Sequence, residues 1–202
     1  MKSILVTVAL CVGFVVATGC FSRESRVVAP FMDAEAMTQQ CMELVDADDD
    51  GFLTATELKV TPGLLSALVD LDEDKDRKLS RDEIFNRFML YVDSRVGLQG
   101  LSCTVTLNGQ PLRDGQIKLV PEPFMAEYIE PAAGEVINVD TGYAEISTGP
   151  ELPGVQPGIY RVEITSPSVD ISPNYNEQTI YGIEVAPIQQ ENPRRHFNVK
   201  RR

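Results

Sequence analysis

Residues 46–57 form an acidic segment that reads DADDDGFLTATE. Carboxylates stand at positions 1, 3, 5 and 12 of this twelve-residue segment, and glycine stands at position 6. Glycine permits the positive φ that a sharp turn needs at that position. A loop that folds back on itself in this way brings several anionic oxygens together. The spacing therefore predicts a loop that binds a hard divalent cation.

The carboxylates of this loop match the ligand positions of a calcium site. Ca²⁺ takes six to eight oxygen ligands, and a twelve-residue loop supplies them from positions 1, 3, 5, 7, 9 and 12. Position 7 contributes its backbone carbonyl, position 9 acts through a water molecule, and the glutamate at position 12 binds with both oxygens. The predicted ligands of this first site are Asp46, Asp48, Asp50, Phe52, Thr54 and Glu57.

A second segment with the same spacing begins 26 residues later and reads DEDKDRKLSRDE. Its position 6 is Arg77 instead of glycine, and a side chain in the left-handed region costs about 1–2 kcal/mol. We therefore expect the second site to bind more weakly, or its loop to be altered locally. The predicted ligands of the second site are Asp72, Asp74, Asp76, Lys78, Ser80 and Glu83.

The residues that close both loops are typical of helix starts. The patterns T-x-x-E at 54–57 and S-x-x-E at 80–83 are capping boxes, which predict that a helix begins as each loop ends. The expected order is helix, loop, helix, helix, loop, helix. Leu53 and Leu79 occupy position 8 of the two loops, so we expect them to face each other in a short two-stranded link.

A further helix is predicted between the loops. Thr61 followed by Pro62 is typical of an N-cap and a first helical position. Helical periodicity then predicts one buried stripe, which comprises Leu64, Leu65, Leu68 and Val69.

Segment 31–95, which contains both loops, resembles the EF-hand family. The resemblance implies a pair of helix–loop–helix units that hold two Ca²⁺ ions. The alternative for a run of carboxylates is a solvated acidic surface. Carboxylates about 5 Å apart repel each other by roughly 3 kcal/mol per pair at an effective dielectric of 20. This repulsion favours an interpretation in which a cation is bound.

The apolar pattern changes after Leu101, where apolar residues recur at every second position, as in strands. N-G at 108–109 is a strong hairpin signal, and P-G pairs at 153–154 and 157–158 interrupt the chain further on. About seven short strands separated by turns predict an all-β sandwich over residues 100–202. The fold class predicted for the whole chain is therefore multidomain α plus β.

Two stretches of this β region resemble carboxypeptidase regulatory-like (transthyretin-like) domains. Residues 103–121 read CTVTLNGQPLRDGQIKLVP, and residues 154–162 read GVQPGIYRV. The resemblance implies a transthyretin-like β-sandwich that serves a secreted or surface protein as a stability and interaction module. None of the matching residues is catalytic in that family, so the resemblance assigns no active site.

The N-terminus is predicted to be a targeting segment. Residues 1–19 combine one lysine, an apolar run and small residues, which is typical of a secretory signal peptide. The placement of Cys20 after Ala17-Thr18-Gly19 resembles the lipobox of bacterial lipoproteins, which implies lipidation of Cys20 and membrane anchoring. Residues 20–30 are then a short tether.

Two alternatives to the lipoprotein signal stay open, an ordinary cleaved signal and an uncleaved membrane helix. The apolar run from residue 4 to residue 19 spans about 24 Å as a helix, less than the ~30 Å hydrocarbon core of a bilayer. All three interpretations place the remaining chain outside the cytoplasm, in the periplasm, at the cell surface or secreted.

The charge distribution argues against nucleic-acid binding. The formal net charge is −12, and residues 31–99 hold 16 acidic and 7 basic residues. Such a field attracts cations and repels nucleic acid, and no basic patch with interleaved aromatic residues is present in the sequence.

We also predict that the protein is not an enzyme. The chain has one histidine, His196, which alternates with Phe197 and is expected on the exposed face of a terminal strand. Glu145, Glu163 and Glu184 are likewise expected to be exposed. No nucleophile elbow, zincin motif or P-loop occurs in the sequence.

Two cysteines, Cys41 and Cys103, remain after Cys20. Each lies at an apolar position, where a single buried cysteine behaves as a small hydrophobic residue. A disulfide between them is the alternative, and the predicted compartment permits it.

Taken together, the sequence predicts an exported calcium-binding protein in which the two ions are mainly structural. A calcium-gated interaction module is one alternative. Another is a surface protein that binds a polymer or carbohydrate through the β-sandwich, and an unidentified protein partner is compatible with either. An enzyme accessory subunit also stays open.

Overall fold

The computed structural model describes residues 27–150, 153–187 and 195–202. The predicted signal peptide 1–19, Cys20 and the tether up to residue 26 lie outside the described residues. Within the described ranges, no helix combines the length and apolar character needed to cross a membrane.

Three α-helices and a two-stranded ribbon form the helical part, residues 27–95. Their bounds are α1 Ala34–Val45, β1 Phe52–Thr54, α2 Pro62–Leu71, β2 Lys78–Ser80 and α3 Arg81–Ser94. Asp33 caps α1 by accepting a hydrogen bond from the Ala36 amide at 3.1 Å. Ser80 and Glu83 form the complete capping box predicted at the start of α3.

The helix expected after the first loop is only a short 3₁₀ turn, Glu57–Val60. Pro62 accounts for the difference, because a proline disfavours α-helical backbone at the preceding residue. Thr61 has φ −127° and ψ 76°, which interrupts the helix before α2 begins. Pro62 is at the first position of α2 as predicted, but the Thr61 side chain makes no capping hydrogen bond.

The predicted apolar stripe of α2 is right for Leu64, and Leu65 and Leu68 pack against the core, but it is wrong for Val69. The structure buries Leu64, Ala67 and Leu71, whereas Val69 is 86% exposed. α2 packs on the β-sheet as well as on the other helices, so its buried face is set by distant strands.

In the described part of residues 96–202, eight strands form one curled, mostly antiparallel sheet, which confirms the α plus β prediction at this level. The strands are β3 Leu101–Leu107, β4 Gln110–Pro111, β5 Gln116–Pro121, β6 Ala132–Asn138, β7 Tyr143–Ile146, β8 Gly158–Thr165, β9 Gly182–Val185 and β10 Arg195–Val199. Their order is β10-β3-β7-β6-β5-β8-β9, with β4 paired to β3. The pairing of β10 with β3 is parallel.

The turn between β3 and β4 is the hairpin predicted at N-G. Asn108 and Gly109 have φ values of 52° and 82°, the positive pair required by a type I′ turn. The register Leu107↔Gln110 places two residues in the loop.

The curl brings the two ends of the strand order together. The hydroxyl of Tyr181, next to β9, donates to the carbonyl of Asn198 in β10 at 2.7 Å. The Tyr181 ring also packs against Tyr175 and Phe197, with ring centroids 5.3 Å apart in both cases.

The helical part packs directly on the sheet, and the buried residues of both form one continuous hydrophobic core. α2 contacts β8 and β9. The backbones approach so closely that a Cβ on Gly182 would lie 2.1 Å from the Pro62 carbonyl oxygen. The ring of Phe88 on α3 packs against the ring of Phe124, and their centroids are 5.6 Å apart.

Glu184 corrects the prediction of an exposed strand residue, since it is only 4% exposed. Its carboxylate accepts hydrogen bonds from Arg87 Nε at 2.5 Å and Nη2 at 2.7 Å. The Tyr91 hydroxyl also donates to it. Alternation predicted exposure because it assumes that one sheet face meets water, but the last three residues of β9 are all buried.

Glu122 is a second buried carboxylate between the two parts, with no exposed surface. It accepts a hydrogen bond from the Gly63 amide of α2 at 2.7 Å, and its other oxygen lies 3.6 Å from Arg161 Nε. Burial raises the pKa of Glu122 to about 7, against the lowering effects of the Gly63 hydrogen bond and the Arg161 charge.

We expect Glu122→Gln to remove a loss of stability that develops as pH rises from about 5 to about 8. The folded protein holds the Glu122 proton more tightly than the unfolded chain, so this group favours folding most at acid pH. Its contribution is lost as pH rises through about 7, by about 2 kcal/mol between pH 5 and pH 8. Urea unfolding at both pH values should show a smaller decline for the variant than for wild type, and equal declines would contradict the assignment.

Cys41 and Cys103 are both buried free thiols. Burial raises the pKa of Cys103 to about 12 and raises that of Cys41 as well. His196 is exposed, as predicted, and its ring contacts the hydroxyls of Thr104 and Thr106 at 3.0 and 3.3 Å.

Candidate metal centre

The two predicted loops each bring three aspartates into one compact group. In the first loop these are Asp46, Asp48 and Asp50, and in the second Asp72, Asp74 and Asp76. Within each group, one carboxylate oxygen per residue lies within 4.8 Å of the others. At about 5 Å and an effective dielectric of 20, each pair repels by roughly 3 kcal/mol.

The loops repeat the same hydrogen bonds at corresponding positions. The position 5 amide donates to the position 1 carboxylate at 3.2 Å in the first loop and 3.1 Å in the second. The position 6 amide does so at 3.0 and 2.9 Å. The position 7 amide donates to the position 5 carboxylate at 2.8 Å in both loops. Backbone amides therefore hold the aspartates in matching orientations.

The loops also share their unusual backbone conformations. Position 4 has positive φ in both, 57° at Asp49 and 64° at Lys75. Position 6 has φ 82° at Gly51 and 71° at Arg77. The second loop is therefore not altered locally. Arg77 adopts the left-handed backbone conformation that Gly51 has in the first loop, so the backbone strain expected from the sequence is present at Arg77.

We expect Arg77→Gly to stabilise the second loop, because glycine adopts this conformation without a Cβ clash. Relief of left-handed strain should raise the free energy of unfolding by about 1 kcal/mol, the lower part of the expected penalty. Urea unfolding measures this gain. Gly51→Arg is the reciprocal control and should be destabilising; a neutral result for both would contradict the strain argument.

The glutamate at position 12 closes each loop. One oxygen of Glu57 accepts from the Ala47 amide at 3.0 Å, and the other accepts from the Thr54 amide at 2.8 Å. Glu83 repeats both bonds, at 2.8 Å each. Each carboxylate therefore joins the beginning of its loop to its end.

These hydrogen bonds favour the ionised glutamates. They lower the pKa of Glu57, with the Thr54 backbone as the main cause. Partial burial raises the pKa of Glu83, but hydrogen bonds from Ser80 and Glu73 outweigh this, and the net shift is downward. Both side chains are thus kept as anions.

The remaining predicted ligands lie at the ribbon that joins the loops. Phe52 and Thr54 are in β1, and Lys78 and Ser80 are in β2. The Thr54 hydroxyl donates to Glu57 at 2.7 Å, and the Ser80 hydroxyl to Glu83 at 2.8 Å. Leu53 is paired with Leu79 as predicted, and both are fully buried. The ribbon thus fixes one loop beside the other.

Comparisons with known proteins assign no family to the chain, so the interpretation of the two loops rests on their geometry. No family model, curated protein or solved structure matches the chain.

One contact at the loops was missed by sequence reasoning. Lys78 Nζ, from the second loop, lies 3.7 Å from Asp50 Oδ2 of the first loop and 5.2 Å from the Phe52 ring centroid. The only sequence signal was the antiparallel pairing of the position 8 leucines, which places Lys78 opposite Thr54 and diagonally across from Phe52. The side chains of Lys78 and Asp50 are each about 40% exposed, so the lysine offsets little of the negative charge of the loops.

The donor chemistry fits a hard divalent cation. Each loop offers several carboxylate oxygens together with a hydroxyl and one backbone carbonyl, and no nitrogen or sulfur ligand is among the predicted sets. Oxygen-only sets suit Ca²⁺ and Mg²⁺, and flexible loops with a bidentate glutamate favour Ca²⁺.

Proposed function

We propose that this chain is an exported calcium-binding protein whose paired EF-hand loops hold two Ca²⁺ ions. The observation that carries the proposal is the repetition of aspartate groups, amide hydrogen bonds and positive-φ positions in two loops joined through Leu53 and Leu79. A general acidic surface has no reason to repeat such geometry. In this proposal the protein is not catalytic.

In each site, the aspartates at positions 1, 3 and 5 would bind the ion through single oxygens. The position 12 glutamate would contribute two oxygens, and position 7 its carbonyl. A bound ion supplies the positive charge that offsets repulsion among the carboxylates. The left-handed Arg77 makes the second site the weaker of the two.

A mainly structural role for the ions is favoured by the packing of the helices. α2 lies against β8 and β9, and α3 is held to β9 through Arg87 and Glu184. A calcium-gated module must instead let its helices separate to expose an apolar groove. Separation here would break the buried ion pair, so the gated alternative is the less favoured one.

We further propose that the sheet is a transthyretin-like domain and that Cys20 is lipidated after export. The type I′ hairpin at 108–109 and the strand that begins at Gly158, within the P-G pair at 157–158, support the first proposal. The apolar run before Cys20 supports the second.

Calorimetric titration with Ca²⁺ tests the proposed sites. Wild type should bind two ions, Asp46→Ala should lose the tighter site, and Asp72→Ala the weaker one. Asp70→Ala is the matched control, because Asp70 is an exposed carboxylate just before the second loop and is outside the ligand positions. Absence of binding heat at millimolar Ca²⁺ would refute the proposal, as would equal losses in all three variants.

A further inference from the structure

A partly exposed apolar segment precedes the helices, and its last residue, Met32, is buried in the core. Residues 27–32 read VVAPFM, six consecutive apolar residues. Val28 and Phe31 are each 84% exposed. Together with Val92 and Arg95 of the α3 end, the segment lines a groove of about 460 Å³. Single exposed apolar side chains are common, but a contiguous patch marks an interaction site.

The position of this segment in the chain indicates what covers it. Val27 lies seven residues after Cys20 and Phe31 eleven. A residue spans at most about 3.3–3.6 Å, so these spacers reach no more than about 25 Å and 40 Å. If Cys20 carries lipid, the apolar segment is therefore held within reach of the bilayer surface. This step rests on the lipid anchor proposed above.

The charges around the segment agree with this orientation. Residues 1–30 carry three basic residues and one acidic residue, whereas residues 31–99 carry a net charge of −9. Arg23 and Arg26 precede the apolar segment, and Arg95 lines the groove. Anionic headgroups attract the arginines and repel the acidic loops, so the calcium loops would face away from the bilayer.

We propose that residues 27–32 are a membrane-docking surface, in which Val28 and Phe31 enter the headgroup region of the bilayer that anchors the chain. Exposed apolar side chains beside basic residues are the composition that binds this interface. The anchor would then hold the protein in one orientation, because the chain meets the bilayer at two points.

A single tryptophan reports on this contact, since the chain has none. Phe31→Trp places the probe in the segment, and Val69→Trp, at a position 86% exposed on α2, is the matched control. The chain from Cys20 is coupled through that thiol to a maleimide lipid in vesicles of phosphatidylcholine and phosphatidylglycerol. Cys41 and Cys103 are buried, so Cys20 is the reacting group.

The expected result is a blue-shifted emission for Phe31→Trp and quenching by brominated lipid at least about threefold stronger than for Val69→Trp, as for an interfacial side chain. Equal quenching at both positions would overturn the proposal. So would a blue shift without vesicles that grows with protein concentration, because it indicates a second copy as the occupant. The lipid is attached chemically, so the result is independent of lipidation in the cell. Mass analysis of the exported chain and of Cys20→Ser measures that lipidation separately.

Discussion

Removal of calcium with a chelator is expected to lower the melting temperature of the protein by about 10 °C. An ion that binds only the folded state stabilises it by RT ln(1 + [L]/Kd), and extracellular sites bind at about 10⁻⁴–10⁻³ M. Two such sites at 10 mM Ca²⁺ contribute about 3–5 kcal/mol. For a chain of this size, each kcal/mol shifts the melting temperature by about 2–4 °C.

Scanning calorimetry with Ca²⁺, with Mg²⁺ and with chelator measures this effect. A double variant, Asp46→Ala with Asp72→Ala, should melt at the same temperature in all three conditions, since both sites are lost. Mg²⁺ should restore less stability than Ca²⁺ in wild type, because it prefers rigid octahedral sites that retain water. A wild-type melting temperature that does not respond to the chelator would refute a structural role for the ions.

The second large effect is expected at the ion pair between α3 and β9. Glu184→Ala should lower the free energy of unfolding by about 3–5 kcal/mol, because it leaves Arg87 without its partner in a buried setting. The Arg87 side chain is 15% exposed and that of Glu184 is 4% exposed. The Tyr91 hydroxyl, whose pKa is raised mainly by burial, would lose its acceptor at the same time.

A surface pair on the same sheet provides the control. Lys118 and Glu163 are 3.9 Å apart, with side chains 49% and 31% exposed, so Glu163→Ala should cost at most about 1 kcal/mol. Replacement of both buried partners, Arg87→Met with Glu184→Leu, should recover most of the loss, because no charge is left unpaired. Urea unfolding distinguishes these cases, and a Glu184→Ala effect no larger than that of Glu163→Ala would contradict the assignment.

The loops could be predicted from the sequence because their geometry is local. Every hydrogen bond that orients the aspartates joins residues at most five positions apart. The capping box of α3 and the hairpin at 108–109 are local for the same reason. Such features depend on short spacings that the sequence displays directly.

The contacts between the helices and the sheet could not be predicted in this way. Glu184 meets Arg87 across 97 residues, and Glu122 meets Gly63 across 59. Periodicity identifies an apolar face only for an element packed on one side, whereas β9 is covered on both. On α2, Val69 was wrongly expected to be buried, and Ala67 and Leu71 were missed. The reason is related, since strands far along the sequence determine which side of the helix is covered.

The close approach of Pro62 and Gly182 has a consequence for how the chain can be divided. Truncation of the protein near residue 98 would expose part of Leu64 and Phe88 to solvent, although both are fully buried in the whole chain. The isolated helical fragment would then aggregate through these exposed apolar side chains. Transplanting the calcium loops with their helices into another protein would therefore require new apolar residues to cover the same side chains.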